Sequence, residues 1–246
     1  MRRALSSLFA LALVAAAIAF ASPASAQVDT SHVATTPEVV ETPSVGTQHL
    51  AGGYVVGSFP QGDWGQIAGF GLALDGSDVI KKPGKTFGIR SSMGLLYNFS
   101  RTVDVPASQL GANDNLDIET KNWSLFFGIG PELVMSSKEV APFVFGTVGF
   151  DTYWTSSTLA GTAGGSSYSA EHGDSRIAFA WAAGLGVRRK VGPGYQMELS
   201  AEYRSGTDHQ YLRPEDVTSS GGSVTANRTS HSSDQILIRL GTVLGD

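Results

Sequence analysis

Beyond residue 47 the chain alternates apolar and polar residues with a period of two, in segments of about ten residues separated by clusters of Gly, Asn, Asp and Ser. Such alternation is typical of β-strands with one apolar and one polar face. Helical periodicity does not occur in this region, so we expect an all-β fold. Eight strands are predicted, at 48–58, 66–74, 86–99, 120–133, 141–154, 176–189, 195–205 and 234–244.

The connections between these segments alternate in length. After predicted strands three, five and seven they are long, at 100–119, 155–175 and 206–233, and they read as exposed loops because they lack alternation. The segments 134–140 and 190–194 are short, while 59–65 is a short exception on the long-loop side and 75–85 is a medium turn. Long and short connections therefore lie at opposite ends, as in an up-and-down antiparallel barrel.

The apolar faces of predicted strands three, four, six, seven and eight carry no charge. In strand seven, for example, Leu199 lies on the apolar face between Glu198 and Glu202 of the polar face. A charge on a lipid-facing strand costs up to about 2–4 kcal/mol, which would explain the absence. A soluble lipocalin-like barrel also alternates, with its apolar face inside, so alternation alone leaves the orientation open.

Three features favour an outward apolar face. The six lysines lie in turns or at strand ends, and the polar face consists of Gly, Ala and Ser with a few Arg and Glu, which suits the narrow lumen of an eight-stranded barrel. Aromatic residues gather at segment ends, as in the girdles at two membrane–water interfaces. They are Tyr97, Phe99, Trp123, Trp154 and Tyr203 toward the long loops, and Phe87 and Tyr195 toward the short turns. We therefore predict a closed antiparallel transmembrane β-barrel of about eight strands.

The N-terminus predicts export. Residues 1–26 have a basic start, an apolar stretch at 8–20 and an Ala24-Ser25-Ala26 pattern, so we expect a signal peptide cleaved after Ala26. An uncleaved anchor is the alternative, but it gives no reason for the small-residue pattern. Residues 27–47 predict a flexible periplasmic leader and 48–246 the barrel domain.

Composition excludes several classes of function. The chain has no cysteine, so disulfides, thiolate metal sites and lipid-attachment cysteines are excluded. Removing the signal peptide removes two arginines and no acids, which takes the formal charge from −5 to −7. That sign argues against a nucleic-acid partner. We expect no cofactor and no metal.

At this point the sequence resembles the small eight-stranded outer-membrane barrels, the class of OmpA-like transmembrane domains and opacity-type surface proteins. The resemblance rests on the signal ending at 24–26, on a Gly-Gly-Tyr strand at 52–54 followed by 59–62, and on the Gly-aromatic stretches 126–131 and 141–146. It implies residence in the bacterial outer membrane, periplasmic termini, extracellular long loops and insertion by the barrel-assembly machinery. The chain departs from many members in ending Val243-Leu244-Gly245-Asp246 rather than in an aromatic residue.

The polar faces carry charges that would share the lumen. They are Arg90, Glu132, Asp151, Arg176, Arg188, Glu198, Glu202, Arg204 and Arg239. In a narrow lumen such charges must pair, so we expect a structural salt-bridge network, with a gated ion path as the alternative. Predicted strand five is irregular because Phe143 and Phe145 share a face with Asp151. Either two phenylalanines fill the lumen or a bulge changes the register.

Candidate chemistry in the long loops is weak. His172, His209 and His231 match no zinc spacing, and His231-Ser232-Ser233 matches a lipid A deacylase pattern only superficially, without the downstream acid. Gly161, Gly164 and Gly165 lack the context of a phosphate-binding loop and are interpreted as loop flexibility.

We therefore predict a non-enzymatic barrel, without catalytic residues, whose loops serve envelope integrity or binding. Its expected partners are outer-membrane lipid, the barrel-assembly machinery and an extracellular ligand, and we expect it to be a monomer. A barrel enzyme acting on lipid or peptide, a narrow pore and a soluble ligand-binding barrel remain alternatives.

Overall fold

The computed structural model describes residues 46–135, 139–207, 209–227 and 229–245. The predicted signal peptide and, apart from residues 46 and 47, the predicted leader lie outside the described residues. The described chain contains twelve strands, one short helix α1 (Gly62–Ile67) and 3-10 turns at Ala107–Gln109 and Pro214–Asp216. It includes no helix long and apolar enough to cross a membrane.

Eight of these strands close into an antiparallel up-and-down barrel in the order β1-β12-β7-β6-β5-β4-β3-β2. They are β1 (Gln48–Pro60), β2 (Gly71–Lys81), β3 (Phe87–Asp104), β4 (Asn115–Val134), β5 (Val140–Ala163), β6 (Ser166–Gly192), β7 (Tyr195–Gly206) and β12 (Gln235–Leu244). The remaining strands form two small antiparallel pairs, β8 (His209–Tyr211) with β11 (Thr229–His231), and β9 (Val217–Ser220) with β10 (Ser223–Ala226). The predicted eight-stranded barrel is confirmed.

The pairing register fixes the tilt of the barrel. Following directly opposed residues once around the ring from Phe87 on β3 returns to Tyr97, ten positions further along the same strand. Eight strands with this stagger tilt by about 40°, so ten residues climb about 25 Å along the barrel axis. This is the height of the apolar band of an outer-membrane barrel, between its two aromatic girdles.

The outer surface of this band is apolar. Its large side chains are exposed by 36–73% of their area, and they include Leu72, Leu74, Ile89, Leu125, Phe127, Ile129, Val148, Phe150, Ile177, Phe179, Leu185, Leu199, Ile238 and Leu240. Arg90, Glu132, Arg188 and Glu198 point inward and are at most 2% exposed. An apolar outside around a charged inside is the arrangement of a transmembrane barrel and the opposite of a lipocalin-like one.

Among the described residues, an ion pair of a histidine and an aspartate interrupts the apolar surface. His49 Nδ1 and Asp78 Oδ2 lie 3.3 Å apart on the outer faces of β1 and β2. Both residues are close to the end of the barrel that holds the chain termini, where a charge costs only about 0–1 kcal/mol. We call this the terminal end and the opposite one the loop end.

The predicted boundaries of strand two were wrong. Strand β2 starts at Gly71 and continues to Lys81, through the segment expected to be a turn at 75–85, and the true connection is 82–86. Helix α1 occupies part of the predicted hairpin, where no helix was expected. It is only six residues long and buries Trp64 and Ile67, a spacing too short to give a periodic signal.

The predicted loop 155–175 was wrong, and the predicted loop 100–119 was wrong at both of its ends, because the strands continue beyond the apolar band. Strands β5 and β6 are joined by Gly164 and Gly165 alone, with φ angles of 57° and 76°. Two successive positive φ values are what a two-residue type I′ hairpin requires, so these glycines are a turn rather than a flexible loop.

The irregularity of strand five is resolved in favour of a filled lumen. Phe143 and Phe145 are 1% and 5% exposed and point inward. Strand β5 pairs with β6 without a register shift, whereas shifts occur between Asn98 and Arg101 on β3 and between Lys190 and Gly192 on β6.

Candidate functional site

The lower half of the lumen, toward the terminal end, contains a closed ring of four charges. Arg90 Nη1 donates to Glu132 at 3.0 Å and Arg90 Nη2 to Glu198 at 3.1 Å. Arg188 donates to the same two carboxylates, from Nη1 to Glu132 at 2.6 Å and from Nε to Glu198 at 2.8 Å. Because strands β3, β4, β6 and β7 each supply one member, the ring ties opposite walls of the barrel together. We call it the lower cluster.

The lower cluster is packed between aromatic rings. The guanidinium of Arg188 lies 4.2 Å from the ring centre of Phe143, and that of Arg90 lies 4.7 Å from Phe145. Cation–π attraction adds to the ion pairs here, and the rings occupy volume that small residues would leave open. Phe145 lies over Gly184 and Phe143 over Gly186, where an added Cβ would meet the ring at 2.4 and 2.5 Å.

The upper half contains a chain of five charges, which we call the upper cluster. Arg204 donates to Asp151 at 2.8 Å and to Glu202 at 3.1 Å. Arg239 bridges Glu202 and Asp75. Each of these five side chains has at most 1% of its area exposed.

The two clusters differ in charge balance. The lower cluster has two guanidiniums and two carboxylates, whereas the upper cluster has two guanidiniums and three carboxylates. Within the described residues, Asp75 Oδ1 and Arg239 Nη2 are buried without a hydrogen-bond partner. Incomplete pairing is costly in a low-dielectric interior, so the upper cluster is the more weakly satisfied of the two.

Eight of the nine charges predicted for the lumen are brought together in these clusters. Arg176 is not among them: it lies above the lumen at the loop end, half exposed, where it pairs with Asp174 at 3.2 Å and donates to Gln210 at 2.9 Å. Asp75 was missed because it fell in a predicted turn. The available signal was the even spacing of Asp75 from Ala73 and Val79, which are buried on the same face of the strand.

Aromatic residues close the loop end of the lumen. Trp64 and Ile67 of α1 are buried with Ala68 and with Tyr211 of β8, and the Trp64 and Tyr211 ring centres are 5.2 Å apart. Below them, the Tyr153 hydroxyl donates to Asp151 at 3.1 Å and lies 2.6 Å from Ser233 Oγ. The lumen is thus filled by the two charge clusters together with buried apolar and aromatic side chains, and it is covered by a hydrophobic plug of Trp64, Ile67, Ala68 and Tyr211.

Beyond the apolar band a second hydrophobic core forms. We call residues 101–120, 155–175 and 209–227 the cap. Its core consists of Val105, Leu116, Ile118, Leu159, Leu212 and Val217, with Leu110, Tyr168, Val224 and Ala226 packed against it. Separate connections therefore fold into one packed unit instead of independent loops.

Carboxylates hold the cap together and set its charge. Asp114 accepts hydrogen bonds from the Ser219 hydroxyl and from the backbone N–H of Gly164 at 2.8 Å. These two hydrogen bonds lower the pKa of Asp114, and the bond from Ser219 contributes more than the bond from Gly164. Desolvation and a hydrogen bond with the facing Asp104 raise the pKa of Asp117. The cap contains eight Asp and Glu residues and two Arg residues.

The loop histidines do not form a described metal site. The backbones of His209 and His231 lie opposite each other in the β8–β11 pair, and Ser232 Oγ donates weakly to Asp234 at 3.4 Å. Among the described residues no group of three or more His, Asp or Glu is placed to hold a metal ion.

Comparison with solved structures finds small outer-membrane barrels. Neisserial surface protein A matches at 9% identity and a TM-score of 0.40, covering 81% of this chain and 98% of that one. Ail of Yersinia pestis matches at 13% and 0.43, covering 81% and 99%. A major outer membrane protein from Thermus thermophilus matches at 13% and 0.46, covering 80% and 99%. No protein-family profile and no curated protein sequence matches the chain.

Proposed function

We propose that this protein resides in a bacterial outer membrane as a non-enzymatic barrel whose cap is an extracellular binding surface. The observation that supports this most directly is the hydrophobic core of the cap, which lies beyond the apolar band and above a filled lumen. A barrel with no role outside the membrane would need only short turns at both of its ends. Here the strands continue past the band and order a separate surface.

The cap carries a net negative charge, since its acidic residues outnumber its basic ones by eight to two. Such a surface attracts partners with positive charge over roughly a Debye length, about 10 Å at 0.1 M salt. We therefore infer a basic macromolecular ligand. Its binding should weaken as the salt concentration rises.

A transport path is disfavoured by the lumen. An eight-stranded barrel encloses little more than the volume of its own side chains, and here arginines and phenylalanines fill it. We expect the purified protein in planar bilayers to give no discrete conductance steps. Regular single-channel steps would favour the narrow pore instead.

Topology can be tested by thiol labelling, because the chain has no native cysteine. We expect Ser223→Cys, in the cap, to react with an impermeant maleimide on intact cells, and Lys85→Cys, in the turn 82–86, to react only after the outer membrane is opened. The reverse order would mean that the barrel is inverted.

Binding is tested by the retention of protein-bearing phosphatidylcholine vesicles on polylysine beads, with protein-free vesicles as the control. Equal retention of the two kinds of vesicle would refute the binding role.

A further inference from the structure

The terminal end of the barrel carries an excess of positive charge. Its described cations lie at the end of β2, in the turn that follows it and near the end of β6, and they are Lys81, Lys82, Lys85, Arg189 and Lys190. Among the described residues, the surface carboxylates of this end are Glu139 and Asp78, and Asp78 already pairs with His49. Lys138 and Asp246 lie outside the described residues. The terminal end is thus basic, whereas the cap at the loop end is acidic.

Arg189 is the member of this group that lies on the lipid-facing wall of a strand. Its neighbour Arg188 points into the lumen, so the alternation of β6 turns Arg189 outward, and its side chain is exposed. It is opposed to Val140 on β5 and to Met197 on β7, whose side chains are 47% and 46% exposed. Within the described part of the chain no acid forms an ion pair with Arg189. An unpaired guanidinium between apolar side chains therefore faces the membrane.

Arg189 lies at the height of the girdle that contains Phe87 and Tyr195. Following the opposed row from Phe87 across three strand steps leads to Leu185 on β6, about 9 Å higher along the barrel axis. Arg189 lies four residues nearer the terminal end, which lowers it again by about 10 Å. Because an aromatic girdle marks a membrane–water interface, the guanidinium is placed at the level of lipid phosphates.

We propose that the terminal end binds an anionic glycerophospholipid, with the phosphate on the Arg189 guanidinium and an acyl chain along Val140 and Met197. The fork of a guanidinium matches the oxygens of a phosphate, and each Lys or Arg near a membrane surface adds attraction for anionic lipid. A headgroup that also carries an ammonium would place that cation among the lysines. The assignment rests on the proposed orientation, in which the terminal end meets the periplasmic leaflet, and that leaflet consists of glycerophospholipids.

The carboxylate of Glu139 opposes this binding. Its backbone carbonyl accepts the N–H of Lys190 at 3.0 Å, so Glu139 lies beside the Arg189 region of the wall. Its charge repels a phosphate and attracts an ammonium, although the five cations outnumber it. The same electrostatic argument therefore predicts opposite effects when the charge of Arg189 and the charge of Glu139 are removed.

The test is native mass spectrometry of the full chain, extracted in detergent and incubated with equimolar phosphatidylglycerol and phosphatidylethanolamine. We expect glycerol-lipid adducts to exceed ethanolamine-lipid adducts by about fivefold, the effect of one Lys or Arg near a membrane surface. Arg189→Gln should remove most of this excess. Arg189→Lys should retain part of it, because the charge remains and the fork is lost, and Glu139→Gln should increase it.

Lys121→Gln removes a cation from the outer wall at the loop end and is the matched control, so it should leave the excess unchanged. Inorganic phosphate added in excess over lipid should not displace the adducts, because it has no acyl chain to pack on the wall. Displacement would mean that the site takes a soluble phosphate, which would overturn the lipid assignment. Equal adducts of both lipids on the wild type, or an excess that Arg189→Gln leaves unchanged, would overturn it as well.

Folding is followed on the same samples by heat-dependent gel mobility and by insertion into vesicles. Failure of the wild type to insert contradicts the membrane location, whereas insertion without lipid preference contradicts only the lipid site at the terminal end.

Discussion

Removing one carboxylate from the lower cluster should destabilise the barrel strongly. Glu132 is fully buried and accepts three N–H bonds, one from Arg90 and two from Arg188. Glu132→Gln keeps the shape, but it leaves two guanidiniums with the single charge of Glu198 and turns an amide NH₂ toward donors. Breaking a buried ion pair in this way costs about 3–5 kcal/mol, so we expect a loss of that size in the free energy of unfolding.

The measurement is urea unfolding in vesicles, followed by tryptophan fluorescence. Glu119→Gln is the control, because this carboxylate is partly exposed with one ion pair, and its loss should cost less than about 1 kcal/mol. The double variant Glu132→Leu with Arg188→Met leaves the neutral pair Arg90–Glu198. The loss in the free energy of unfolding of this double variant should be smaller than the sum of the losses in the two single variants, by about 0.5–3 kcal/mol. Equal effects of Glu132→Gln and Glu119→Gln, or strict additivity, would refute the reasoning.

Three further changes test the apolar band and the cap. Leu199→Arg places a charge on the lipid-facing wall and should lower stability by up to about 2–4 kcal/mol, whereas Thr225→Arg in the cap should be nearly neutral in the same urea unfolding assay. Gly164→Val puts a β-branched residue at a φ of 57° and should open the cap to limited proteolysis while heat-dependent gel mobility of the barrel persists. The pKa of Asp117 is raised in the folded state, so its contribution to stability is fully present below the unfolded pKa and is lost as pH rises through the folded pKa. Asp117→Asn should therefore protect the cap from proteolysis at neutral pH and not at acid pH. Equal protection at both pH values would contradict the pairing with Asp104.

The sequence by itself determined the barrel class and the orientation of most of its wall. Alternation is a local property, since successive side chains of a strand point to opposite faces whatever the strand pairs with. Alternation therefore separated a charge-free face, such as that of Leu199 and Tyr203, from a polar face, and the confinement of the lysines to turns and strand ends predicted that the charge-free face points outward. The inward position of Glu132, Arg188 and Arg204 followed from the same parity.

Only the tertiary structure decided which charges meet. Asp75 lies in a stretch of Asp, Gly and Ser that resembles a turn, and its partner Arg239 is 164 residues away. Arg176 has the parity of the lumen, but the stagger of the strands carries it above the mouth. Local pattern gives the face of a residue, whereas its height depends on the register around the closed ring.

The cap and the plug were outside the reach of the sequence for a related reason. The loop-end part of β5 consists of Ser, Thr, Ala and Gly apart from Leu159, and that of β6 mixes such residues with Tyr168, Glu171, His172 and Asp174, so no regular alternation of apolar and polar residues marked them as strands. Their order comes from contacts with distant segments, such as Leu159 with Leu212 and Val217 in one core. Burial of apolar area between segments far apart in the chain stabilises this region, and that area exists only after the barrel has brought the segments together.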